Sequence, residues 1–188
     1  MSSVRSVALI YVAAIANCVV ALATVAIHGW NAAGAHAVAR NSARLAALFF
    51  IVAFAAPGLV RFVRRLPSAA TLLWAWFAAH LVHFASVAVL LSTFERAHIA
   101  HHPGQSILVL LVGSGVVLGA ALTASWKSPL YTAIHNISLY AVFMLFTLAF
   151  ARNRVPALRL LAVALGLALV LRLTALSKPA KATATSAT

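Results

Sequence analysis

The stretch Ala70–Leu91, ATLLWAWFAAHLVHFASVAVLL, is oily enough to cross a bilayer, yet it carries two histidines three residues apart, His80 and His83. A spanning helix needs about 20 mainly apolar residues. Five further stretches meet that rule: Val4–Ile27, Ser42–Val63, Ser106–Ser125, Leu130–Phe150 and Pro156–Leu173. The expected fold is therefore an all-α membrane protein, a six-transmembrane-helix bundle over residues 1–176. The remainder, SKPAKATATSAT at 177–188, is small and polar and is expected to be a disordered tail.

Composition supports this and excludes other classes. Of 188 residues 64% are apolar, and only Glu95 is acidic against 14 Lys and Arg, which no soluble domain with a mixed-charge surface would show. The basic residues are scattered between apolar runs and form no stripe, so nucleic acid is not an expected partner. The expected partner is the lipid bilayer. Loops between the runs are too brief for a folded extramembrane domain, so no flavin or nicotinamide domain of the chain's own is expected. The first run follows Arg5 but is longer than a signal-peptide core, with no convincing cleavage site, and reads as a retained helix. Cys18 is the single cysteine, which rules out a disulfide within the chain and suggests a small packing residue.

Placement of Arg and Lys orients the bundle. With six spans, Arg61, Arg64, Arg65, Lys127, Lys178 and Lys181 fall on the same side as Arg5, against Arg40, Arg44, Arg96, Arg152 and Arg154 on the other. Both termini are therefore expected in the cytoplasm.

An imidazole within hydrocarbon needs partners for its ring nitrogens, and an ionisable group there is a candidate functional residue. His80 and His83 project from neighbouring parts of one helical face. His135, near the start of the fifth run, is the third intramembrane histidine. Helices three and five run in the same direction in this topology. At about 1.5 Å per residue, His80 lies about 12 Å in from Leu72 and His135 about 13 Å in from Trp126. Two imidazoles facing each other at one depth would suit a six-coordinate b-type haem. Sharing one helix face, His80 and His83 cannot ligate opposite sides of one haem, but they could hold a small metal ion. Either could also simply hydrogen-bond a neighbouring helix. Trp76, Phe77 and Phe84 could wall a flat cofactor. Gly113, Gly115 and Gly119 in the fourth run suggest close packing of helices, chiefly through Gly115 and Gly119. Of the outer histidines, His28 and His36 fall around the first external loop and His98, His101 and His102 lie beside Glu95; a His/Glu cluster there could bind zinc or copper, though a solvated loop is the plainer expectation.

The segments RNSARLAALFFIVAFAAPGLVRFVRR (Arg40–Arg65), FAAHLVHFA (Phe77–Ala85) and LTASWKSPLYTAIHNISLYAVFMLFTLAF (Leu122–Phe150) together resemble the ferric reductase-like transmembrane domain superfamily, in particular small bacterial members without a flavin domain. More distantly they are similar to the haem-binding membrane subunit of the periplasmic methionine sulfoxide reductase system. The resemblance implies haem b, with His80 and His135 at the family's ligand positions and His83 as an extra histidine. It also implies a bacterial inner membrane. The second histidine that larger relatives carry on each helix is missing here: those positions fall near Thr93 and Phe94, and near Leu148 and Ala149. One haem is therefore expected rather than two.

The function implied is electron transfer through haem from quinol or a partner flavoprotein to an acceptor, with quinone a candidate second ligand. Arg61, Arg64 and Arg65, or Arg40 and Arg44, are candidates to meet haem propionates, with topology and headgroup contact as their ordinary role. Asn136, Ser138 and Tyr140 are candidates to orient a ligand ring or touch a quinone. Two other classes stay open: a metal-ion or proton transporter using the intramembrane histidines, and a non-catalytic membrane partner subunit. The paucity of carboxylates weighs against proton coupling.

Overall fold

The computed structural model describes residues 2–96, 103–125, 128–152 and 155–176. Those residues form α1 (Ser2–His28), α2 (Ala32–Leu59), α3 (Ala69–Thr93), α4 (Pro103–Leu122), a short 3-10 turn (Thr123–Ser125), α5 (Pro129–Ala151) and α6 (Pro156–Leu176), with no strand among them. Five of these helices, α1, α2, α3, α5 and α6, are long and apolar enough to cross a membrane. In α4 the apolar stretch found runs only from Gly113 to Leu122, so a sixth span goes beyond what is described. The expected tail, along with His98, His101, His102, Trp126, Lys127 and Arg154, lies outside the described residues.

Helix ends follow local chemistry. α2 starts ten residues before the expected Ser42, because Asn31 caps it: the Asn31 side chain accepts a hydrogen bond from Gly34 N at 2.9 Å. The turn before it passes through Gly29 at φ +77°, a left-handed conformation that only glycine adopts cheaply. Ser68 caps α3 by accepting from Thr71 N at 3.1 Å. Pro129 and Pro156 open α5 and α6, where a missing N–H costs nothing.

The burial pattern departs from that of a soluble domain at the surface, where large apolar side chains stand exposed around an apolar core that also holds a few polar residues. Val7, Ile15 and Leu22 on α1 and Leu160, Val163 and Leu167 on α6 are exposed, whereas Asn17 and Ser42 are completely buried. Helices in lipid gain little from hiding apolar surface and rely on close packing and cross-helix hydrogen bonds. α2 is the central element and packs on α1, α3 and α6, while α5 packs on α4 and α6. Aromatic rings fill the middle: Phe50 lies 5.1 Å from Trp76 and 5.4 Å from Phe146, and Phe54 stacks on Phe143 at 5.0 Å. Each such pair adds about 0.5–1.5 kcal/mol beyond its buried area.

The tightest contact joins α2 to α6. A Cβ built on Gly58 would lie 2.2 Å from the carbonyl oxygen of Leu171, so the two backbones touch there. The glycines of α4 behave differently. Gly119 meets the Ser138 hydroxyl of α5, with 3.1 Å left for a Cβ, whereas Gly113 and Gly115 face open space. The expected packing through Gly115 and Gly119 is thus carried by Gly119 alone. Gly58→Ala should destabilise the protein by about 1–3 kcal/mol through overpacking. Gly115→Ala should be tolerated. Thermal melts of both variants in detergent check the contrast, and an unshifted Gly58→Ala would show that α6 does not rest on α2 in this way.

Candidate functional site

Three helices meet around the α3 histidines. Asn17 of α1 donates from Nδ2 to the carbonyl oxygens of Ala79 (2.7 Å) and Ser42 (3.2 Å), tying α1 to both neighbours. The Ser42 hydroxyl of α2 donates to Ala39 O at 3.0 Å and lies 3.1 Å from His83 Nδ1. A hydroxyl has one proton. When that proton goes to the Ala39 carbonyl, Ser42 Oγ accepts from His83 Nδ1–H and Nε2 keeps its lone pair; when it goes to His83 Nδ1, the ring proton sits on Nε2.

His80 sits beside this network and is only 4% exposed. Its ring is surrounded by Trp76 (5.0 Å), Phe84 (5.5 Å), Phe146 (5.7 Å) and His83 (5.8 Å). Of the three expected aromatic walls, Trp76 and Phe84 are in place, whereas Phe77 packs on Trp74. His80 Nδ1, Trp76 Nε1 and Asn17 Oδ1 are buried without a hydrogen-bond partner. Such orphans cost free energy, and they concentrate where α3 faces α1 and α5.

His135 belongs to a second locus. Its Nδ1 lies 2.9 Å from the carbonyl oxygen of Ala120, an acceptor only, so the ring proton sits on Nδ1 and Nε2 is free. On the next residue, Asn136 Oδ1 accepts from Arg172 Nη2 at 3.4 Å. Arg172 also donates to Phe54 O at 3.2 Å, and its guanidinium lies 4.8 Å from the Phe54 ring centre and 5.7 Å from that of Tyr140. Ser138 is buried against α4, and Tyr140 stands edge-on to Phe54 at 5.5 Å.

The equal depth expected for His80 and His135 is not what the structure shows. His80 touches Phe146, eleven residues beyond His135, which corresponds to about 16 Å along a helix rising 1.5 Å per residue. The aromatic rings between α3 and α5 set this offset, because Phe50 seats Trp76 and Phe146 at one level. As donors, His83 and His135 suit iron: a metal-bound histidine commonly gives its other ring N–H to a hydroxyl or carbonyl partner. As a coaxial pair on one haem, His80 and His135 do not fit this arrangement.

Each remaining candidate has a definite place. Arg44 donates to Asn41 Oδ1 at 2.9 Å, and Asn41 in turn donates to the Thr24 hydroxyl at 3.2 Å. Arg61 donates to the carbonyls of Thr174 (2.9 Å) and Ala175 (3.2 Å), capping the end of α6. Arg40, Arg64 and Arg65 are exposed. His36 pairs with Glu95 at 3.0 Å, tying the start of α2 to the end of α3. Among the described residues no three His, Cys, Asp or Glu side chains gather closely enough to hold a metal ion.

Sequence reading passed over Asn17, Ser42 and Arg172. Each is a polar residue inside or beside an apolar run, which is the signal that could have found them. Comparison with known protein families, with characterised proteins and with solved structures gives no match. Asn17→Ala removes both cross-helix bonds and should cost about 1 kcal/mol, in the range measured for hydrogen bonds between membrane helices. A lowered melting temperature in detergent checks this, and no change would separate Asn17 from the bundle's stability.

Proposed function

We propose that this chain is an integral membrane electron carrier of the ferric reductase-like class, holding one b-type haem at the α3 histidine layer. The observation that carries the reading is the Ser42–His83 contact, which anchors the His83 ring through Nδ1 and, with the Ser42 proton on the Ala39 carbonyl, leaves the Nε2 lone pair for a metal. The resemblance of Arg40–Arg65, Phe77–Ala85 and Leu122–Phe150 to that superfamily supports it. Haem would supply one-electron chemistry, tuned by ligand identity and burial. The chain's own part is to orient the His83 ring through Ser42, to keep water from the site with Trp76, Phe84 and Phe146, and to seat the helix through Asn17. Quinol or a separate flavoprotein would supply electrons. Six spans with both termini in the cytoplasm of a bacterial inner membrane complete the proposal.

The depth offset replaces the paired-histidine assignment with a sharper one. With His135 about three turns away, His83 would be the residue of this chain that holds the haem iron. A second reading rests on the adjacency of His80 and His83, whose ring centres lie 5.8 Å apart: two imidazoles on one face suit a small cation such as zinc or copper in transit.

Optical spectra of the purified full chain, oxidised, reduced and exposed to carbon monoxide, decide among these. A Soret band that shifts with carbon monoxide is expected. His83→Ala should abolish it, and Ser42→Ala should weaken haem affinity about 10–100-fold, as loss of a partner hydrogen-bonded to a ligand does. His135→Ala should leave it in place. A spectrum indifferent to carbon monoxide and lost in His135→Ala would restore the paired ligands. A colourless preparation that takes up zinc or copper would put the cation reading first.

A further inference from the structure

The bundle contains a partly buried cation with no anion beside it among the described residues. Arg172 lies within the apolar segment Leu158–Ala175, partly buried where α6 meets α2 and α5. Its guanidinium has five N–H donors. One reaches Phe54 O and another reaches Asn136 Oδ1 at a long 3.4 Å, while Nε is buried with no partner. The only acidic side chain in the whole sequence is Glu95, which is engaged with His36 beside the opposite end of α2. Among the described residues the one carboxylate, that of Glu95, is engaged elsewhere and does not neutralise Arg172. Two aromatic faces, Phe54 and Tyr140, offset part of the charge but do not fill the open donors.

The surroundings show what would. Arg172 is one turn from the end of α6, where Arg61 holds the Thr174 and Ala175 carbonyls and Arg64 and Arg65 stand exposed. Among the described residues this end of the bundle therefore gathers four guanidinium groups without an acid, close to the end of the apolar segment Leu158–Ala175. Arginine's planar fork matches anionic oxygens two at a time. Gly58 makes the site geometrically feasible: the backbone contact with Leu171 brings Arg172 over the Phe54 carbonyl and ring.

We propose that Arg172, with Asn136 beside it, binds a phosphate-bearing anion between α2, α5 and α6. The position favours the phosphate of an anionic lipid, and inorganic phosphate shares the chemistry. The site stands whether or not the α3 histidines hold haem, because it uses neither His80 nor His83.

The test uses the full chain in mild detergent, titrated with phosphatidylglycerol, phosphatidylcholine or inorganic phosphate, and read by native mass spectrometry and by the shift in melting temperature. Wild-type protein should retain phosphatidylglycerol over phosphatidylcholine, and Arg172→Gln should lose about fivefold of that preference, the share of one basic residue at an anionic surface. Arg65→Gln, an exposed cation at the same end, should lose less. A melting shift produced by inorganic phosphate alone, and lost in Arg172→Gln, would identify free phosphate as the source. If Arg172→Gln does not fold, Asn136→Leu replaces it and should show a reduced preference. Unchanged lipid preference in Arg172→Gln, or equal losses in Arg172→Gln and Arg65→Gln, would overturn the site.

Discussion

Hydrocarbon offers no hydrogen bonds, so every polar group placed in it must find its partner within the protein or bring one in. That constraint organises this bundle. The backbone meets it with helices. The few polar side chains meet it by reaching across to neighbouring backbones, as Asn17 does to Ala79 and Ser42. At His80 Nδ1, Asn17 Oδ1 and Arg172 Nε such a partner is missing. Both candidate sites lie at such places.

The same constraint explains why two similar-looking histidines differ. His83 and His135 are each anchored through Nδ1 to an oxygen of another helix, and for His135 that oxygen is a carbonyl, which sets the tautomer. His80 has no such anchor and is held by rings instead. Position within the aromatic layer, not identity, separates a group poised to donate a lone pair from one that is packed. The basic end of the bundle follows a related logic, since cations placed without acids leave charge for the surroundings to answer.

Much of the architecture could be read from apolar run length alone. All six expected runs overlap helices, and five of those helices are long enough to span. Helix ends were less legible where a small-residue segment such as Ala32–Asn41 continues a helix beyond its apolar part. The relative depth of His80 and His135 was not legible at all. Sequence gives distances along a helix, but the offset between two helices is set by side chains that meet across them, here Trp76, Phe50 and Phe146. Arg172 escaped notice for a related reason: nothing within its own run tells that Gly58, more than a hundred residues earlier, lets it settle against Phe54.

The zero-clearance contact at Gly58 also has a mechanical meaning. With backbone resting on backbone, α2 and α6 cannot slide or tilt against each other without collision, so they behave as the spine of a book. Across from that spine, α3 and α5 meet through side-chain rings, which can change rotamer without breaking a main-chain contact. Any loosening of this bundle would therefore be expected first at the Phe146–His80 ring layer, with the α2–α6 spine unmoved.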